Sequence, residues 1–299
     1  MAVPQGLLGG ISVKPEVTYG VDPGTTGWTF LPSRAGTNLA KRRSYFGPQT
    51  SGISMPTVVE VGPSWVDGEI QAYWSFTHAV VSPVMANFMT VAGAGPYSYV
   101  ATTAPSTNSI AISKNIGGTE YVLTGCKGTS MRWELDPADG IKWNIGYIGQ
   151  DEAVHAAQTV ANPADSVIAM PSDLTACTLG GTALGIKSAV IELTSPYTGS
   201  DRSAYGGTTL REPFPSGKRA VTVGLNLEVD DSTGFNSIAE YADYLSGTAN
   251  GDLVITFGTS NYFSVLACQA VGDGIAHQFG IQDFNLSLVG TSLLVMCAA

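Results

Sequence analysis

The sequence predicts a mainly β fold with short helices, an α+β protein made of two similar tandem units. Three observations predict it. Charged residues make up only 13% of 299, while 36 glycines and 16 prolines supply breaks and turns, the composition of a turn-rich β protein. Apolar residues alternate with period two over several segments, the spacing of strands covered on one face. Finally, one order recurs in each half of the chain: an alternating strand, a short helix ended by glycine, then several antiparallel strands.

Residues 1–63, studded with Gly and Pro, read as an irregular arm and long loop carrying a basic cluster at Lys41, Arg42 and Arg43. A structureless stretch of that length is expected to pack on a neighbouring subunit or to be a functional loop. The next segment, "GEIQAYWSF", places Ile70, Ala72, Trp74 and Phe76 on one strand face. Ser82 as N-cap and Pro83 as first helical residue predict a helix with Val84, Phe88 and Val91 on one stripe, stopped by Gly93. Ile110 and Ile112 alternate in a further short strand. Residues 119–150 are expected to form a three-stranded meander. In it Met131, Trp133 and Leu135 alternate with Arg132 and Glu134, "DPADG" makes the turn, and Ile141, Trp143, Ile145 and Tyr147 alternate with Lys142 and Asn144. Trp133 and Trp143 then face each other as a cross-strand pair.

Residues 151–182 read as a connector, "IKSAVIELTSP" as a strand, and 197–217 as a long polar loop. Val221, Val223, Leu225, Leu227 and Val229 share one face of the next strand. A capped amphipathic helix is predicted over 230–247, with Phe235, Ile238, Ala242 and Leu245 on its stripe and Gly247 ending it. "DLVITFG", "YFSVLACQAV" and "FNLSLVG" are the closing strands. Cys126 and Cys268 occupy corresponding strands 142 residues apart. The division is therefore into unit 1, residues 1–150 with the arm and long loop, and unit 2, residues 151–299.

A net charge of −10 argues against a surface that grips nucleic acid. No run of 18 apolar residues marks a membrane span, and "MAVPQGLLGG" does not read as a signal peptide. Cys126, Cys177, Cys268 and Cys297 lack metal-ligand spacing and read as free buried thiols. "YGVDPGTTGW" echoes the phosphate loop of actin-like ATPases and the acidic strand of junction resolvases. Pro15 and the charges before Asp22 argue against the central strand both need, so Asp22-Pro23-Gly24 reads as a turn. His78, His155 and His277 are isolated, and there is no nucleophile elbow and no pair of carboxylates in a setting that would raise a pKa. No catalytic, cofactor-binding or metal-binding residue is expected.

Four segments together resemble the tail tube (major tail) proteins of long-tailed, siphovirus-type bacteriophages. They are the arm with "EVTYGVDP", "SWVDGEIQAYWSFTHAVVSPVMANFM", "YVLTGCKGTSMRWELDPADGIKWNIGYIG", and "FPSGKRAVTVGLNLEVDD" with "LVITFGT". The resemblance implies a β-sandwich or barrel flanked by a helix, and a virion structural protein rather than an enzyme. It also implies self-assembly into rings, a trimer with pseudo-sixfold symmetry or a hexamer, stacked into the conduit for the genome. Expected partners are the tape measure, distal tail and tail terminator proteins, with DNA passing unbound and no membrane. The alternative is another virion component: a baseplate, collar or fibre domain. An acidic channel would repel phosphate, and Glu69, Glu134, Asp136, Glu228 and Asp283 are the candidates to line it. Tyr19, Arg42, Arg43, Tyr205, Arg211 and Phe214 are the candidates for contacts between subunits.

Overall fold

The computed structural model describes residues 10–46, 60–101, 106–156, 168–197, 212–228, 250–271 and 283–297. In the first half these form β1 (Ile11–Pro15), β2 (Thr29–Leu31), β3 (Ala40–Phe46), β4 (Glu60–Tyr73), α1 (His78–Phe88), β5 (Thr90–Ala92), β6 (Tyr97–Val100), β7 (Ile110–Ile116), β8 (Thr119–Leu135), β9 (Lys142–Gly149) and β10 (Asp151–His155). In the second they form β11 (Leu174–Leu179), β12 (Thr182–Ala183), β13 (Ile186–Thr194), β14 (Ala220–Glu228), β15 (Gly251–Phe257), β16 (Asn261–Ala270), β17 (Asp283–Gly290) and β18 (Ser292–Cys297).

Pairing divides each half into two antiparallel sheets that share one bent strand. In the first half they run β2-β1-β7-β8-β10 and β3-β4-β9-β8. In the second they run β12-β11-β15-β16-β18 and β13-β14-β17-β16. The bends match. Gly125 (φ 66) precedes Cys126 in β8, and Ala267 (φ 48) precedes Cys268 in β16. The ladder slips at both places: Ile110↔Cys126 and Ile112↔Leu123 in one, Gly251↔Cys268 and Leu253↔Val265 in the other. Such bulges turn a strand sharply enough to pass it between sheets. β8 also pairs with β13, from Ala189↔Leu135 to Thr194↔Ser130. This joins the two four-stranded sheets edge to edge into one sheet, β3-β4-β9-β8-β13-β14-β17-β16. The hairpin β5–β6 adds to β18 in the second half.

The left-handed turn at Gly125 gives a measurable expectation. A β-carbon there would meet Tyr19 Cζ at 2.8 Å and Gln150 Cβ at 2.9 Å. Gly125→Ala should therefore cost about 2 kcal/mol or more in chemical denaturation, from the φ penalty and the clash together. An unchanged midpoint would mean that β8 is not held in this bend.

One core runs through both halves. Alternation along the long sheet buries Ile70 and Ala72, Met131 and Trp133, Trp143 and Ile145, Ile191 and Leu193, and Val221 through Leu227 at every second residue. Trp133 and Trp143 are register partners and stack at 6.5 Å. Trp74 stands edge-on to both, at 5.6 and 4.9 Å. Phe263 of β16 packs at 5.7 Å from Trp74, which closes the core from the opposite sheet.

Several sequence expectations are corrected. The described residues of the stretch 1–63 are not an irregular arm: they hold β1, β2, β3 and the start of β4. Their strands are short or charged, so period two is hard to see. β1 has neighbours on both sides, β2 and β7, although a central strand there is not expected. Pro15 is tolerated because it is the last residue of the strand. Asp22-Pro23-Gly24 is a turn, closed by Gly24 N–H donating to Asp22 Oδ1 at 2.8 Å. The expected meander has two strands, since residues 119–135 run unbroken through the bend.

The helix starts at His78 with Thr77 as N-cap, carries Pro83 inside, and ends at Phe88 before Met89. Burial of Val80, Val81, Val84, Met85 and Phe88 outweighs the roughly 3 kcal/mol that an interior proline costs. Val91 lies beyond it, exposed in β5. The connector 151–182 contains β10 and β11. The helix expected over 230–247 and Val229 lie outside the described residues.

Candidate functional site

Because one parity of the long sheet is buried, the other forms a mainly polar face, interrupted by Val190 and Val289. Asp67, Glu69 and Gln71 of β4, Lys142 and Asn144 of β9, Arg132 and Glu134 of β8, Glu192 of β13, Thr222 and Asn226 of β14, and Asn285 and Ser287 of β17 hold these positions. Cations on the face have acidic neighbours. Arg132 Nε lies 2.9 Å from Glu134 Oε1, and Glu192 is its register partner on β13. Asn144 Nδ2 donates to the same Glu134 oxygen at 3.3 Å, and Lys142 Nζ lies 3.5 Å from Asp139 Oδ2. At Gly224, where an added β-carbon would meet nothing within 4 Å, the face dips into a shallow depression of about 330 Å³ bounded by Arg132, Glu192, Thr222 and Ser287.

The sheet ends at two strands. Among the described strands β3 pairs with β4 alone, and Arg42 and Arg43 on it are exposed. At the other end Gln269 and Ala270 of β16 pair with β17.

The candidates fall in different places. Glu69 and Glu134 are on the polar face. Asp136 is at its margin in the β8–β9 turn, where its carboxylate accepts from Ala138 N–H at 2.9 Å. Glu228 and Asp283 are register partners at the ends of β14 and β17. Tyr19 is half-buried in its own protomer, with the Lys127 ammonium 5.8 Å from its ring. Phe214 is 63% exposed, and Tyr205 and Arg211 lie outside the described residues. Asp67 and Glu192 also sit on the polar face and are not among the candidates. The alternation of Ala189, Ile191 and Leu193 marks Glu192, whereas Asp67 falls just beyond an arm that reads as irregular.

The remaining reactive groups have structural surroundings. All four cysteines are unpaired and buried, and burial pushes their thiols up, those of Cys177 and Cys297 to about 12. Burial also raises the Glu16 carboxyl, against hydrogen bonds from Ser109, Gly125 and Gly20. The His78 ring stacks on Tyr97 at 3.4 Å and meets the Tyr99 hydroxyl at 2.6 Å. His155 Nε2 lies 2.7 Å from Asp22, and His277 lies outside the described residues. Among the described residues no group of His, Cys, Asp and Glu is placed to hold a metal, and no helix is long and apolar enough to cross a membrane.

A family model described as phage tail tube protein matches residues 6–286. The chain belongs to the phage tail tube protein family. No curated protein matches it. Phage tail tube proteins are structural components of the virion tail, so the features that bear on function are the polar face and the ends of the long sheet.

Proposed function

We propose that this tail tube protein closes into rings that stack into the tail tube of a siphovirus-type phage, the conduit through which the genome reaches the host. One observation carries the reading: the long sheet consists of two four-stranded sheets of the same strand order, joined through β8 and β13. Register supports treating the halves as tandem copies, since Val66↔Gly149 in one corresponds to Val221↔Gly290 in the other. The β8–β13 junction then serves as a template for the contact between chains. The β16 end of one protomer meets the β3 end of the next as β8 meets β13. A head-to-tail contact of this kind closes into a ring if the rotation returns on itself. Three protomers give six sheets and a threefold ring with pseudo-sixfold symmetry.

In such a ring the core faces outward and the polar face lines the channel. Its acidic excess and neighbour-matched cations suit a surface along which DNA slides without binding. The chain carries no catalysis in this role. Its partners are further copies of itself and the tape measure, distal tail and tail terminator proteins, with assembly in the host cytoplasm before incorporation into the virion.

Electron microscopy of the purified protein tests the reading. Stacked rings with a central channel are expected; isolated discs or rods would favour a baseplate, collar or fibre component. Arg43→Pro is the sharper test, because proline on an edge strand keeps the pairing to β4 but removes a donor needed by an incoming strand. The variant should remain folded and form no rings, and normal rings would exclude β3 as the joining edge.

A further inference from the structure

The free side of β3 is occupied by side chains. Lys41 N–H donates to Glu152 Oε2 at 2.9 Å. Lys114 Nζ donates to the carbonyl of Leu39, the residue just before β3, at 2.9 Å. The ammonium and carboxylate close the arrangement on each other at 2.8 Å, both side chains 14% exposed. A carbonyl and an N–H two residues apart on one side of a strand are the groups that an incoming antiparallel strand takes. Here a Lys–Glu pair from β7 and β10 takes them instead.

The second half contains the same place with a strand in it. Lys41 is the partner of Val66 as Leu193 is of Val221. Leu193 lies against Met131 of β8, and Ser195 N–H beyond it donates to the Thr129 carbonyl at 2.7 Å. The side chains differ too. Lys114 pairs with Tyr121 and Glu152 with Leu123. At the matching positions Ile255 pairs with Phe263 and Leu293 with Val265, and Ile255 and Leu293 are fully buried. Charge stands where the sheet ends, and hydrocarbon where it continues.

We propose that the Lys114–Glu152 pair is a removable cap that keeps the joining edge of β3 closed in the free subunit and leaves it when the next copy arrives. The proposal rests on the ring reading above. An uncapped edge would pair indiscriminately with other strands, and a charged cap is readily released because both ends regain water. The cap therefore slows the first encounters between free subunits while leaving the finished ladder intact.

The test compares the wild type with Glu152→Gln and with the double variant Lys114→Met, Glu152→Leu, which copies the apolar character of the second half. Light scattering at equal monomer concentration follows unseeded assembly, and circular dichroism checks the fold. The double variant should assemble about tenfold faster, the size expected for losing a charge-assisted hydrogen bond. Glu152→Gln should fall between, because its amide oxygen still accepts from Lys41. Rings formed at the wild-type rate or more slowly would overturn the cap and leave the ring reading standing. If no protein, wild type included, builds rings, the ring reading fails and the cap falls with it. Should the double variant not fold, hydrogen exchange on the wild-type monomer decides. Protection of the Lys41 amide that drops several-fold at about 1 M salt, where surface charge is screened, supports the cap; salt-independent exchange overturns it.

Discussion

Trp74→Ala should lower the unfolding free energy by about 4 kcal/mol, the upper part of the range for removing a large buried aromatic side chain. Trp74 has no solvent exposure and makes ring contacts with Trp133 and Trp143 on the long sheet, Phe76 after β4, and Phe263 on β16. Its loss opens a cavity between layers whose walls are other rigid rings, so little collapse can offset it. A domain of this size has a total stability of roughly 5–15 kcal/mol, and the variant should therefore melt far below the wild type. Trp133→Ala should behave similarly, at about 3–5 kcal/mol. Arg132→Ala is the control on the same strand, expected within about 1 kcal/mol because its side chain is on the solvated face. Urea denaturation followed by circular dichroism measures all three. A Trp74→Ala midpoint equal to the wild type would show that the layers are not held together at this cluster.

If the proposed ring forms, reversing Glu134 and Glu192 to lysine should make its channel hold DNA instead of letting it slide. Both carboxylates neighbour Arg132, one by contact and one by register, so the change adds two cations and exposes a third. A ring repeats this in every protomer, producing a cationic band. Phosphate contacts release counterions, so affinity falls steeply as salt rises. Assembled tubes of the double variant should release DNA many-fold more slowly than the wild type at low salt and recover toward it at high salt. Ejection at the wild-type rate at every ionic strength would mean that this face does not set the channel field. Assembly of the variant must be confirmed first, which separates a charge effect from a lost ring.

The elements legible in the sequence are those whose pattern is long enough to exceed chance. Trp133 and Trp143 share a face because alternation runs over five residues on one side of the turn and seven on the other, and they meet in register. Val221 to Leu227 behaves the same way. Arg132, Glu134, Lys142 and Asn144 follow on the opposite face, since a pleated strand leaves no other position for them. Weak or interrupted patterns mislead. β1 offers only Ile11 and Val13 before a proline, and β3 carries three consecutive basic residues. Ser82-Pro83 resembles a helix start but lies within a helix that begins at His78, because buried contacts along α1 outweigh a local preference.

What the sequence by itself determined is local: the β class, the apolar and polar faces of the strongest strands, and the repeated order that hints at two like halves. Backbone pleat and hydrophobic burial depend on neighbouring residues, so the chain carries them openly. Only the tertiary structure decided that β8 and β16 bend from one sheet into another at Gly125 and Ala267. Likewise it decided that the halves fuse through β8 and β13, and that Lys114 and Glu152 meet at the open side of β3. These features arise from pairings between residues tens of positions apart, whose partners no local pattern names. A charged residue in a strand looks the same in the sequence whether it faces water or closes an edge.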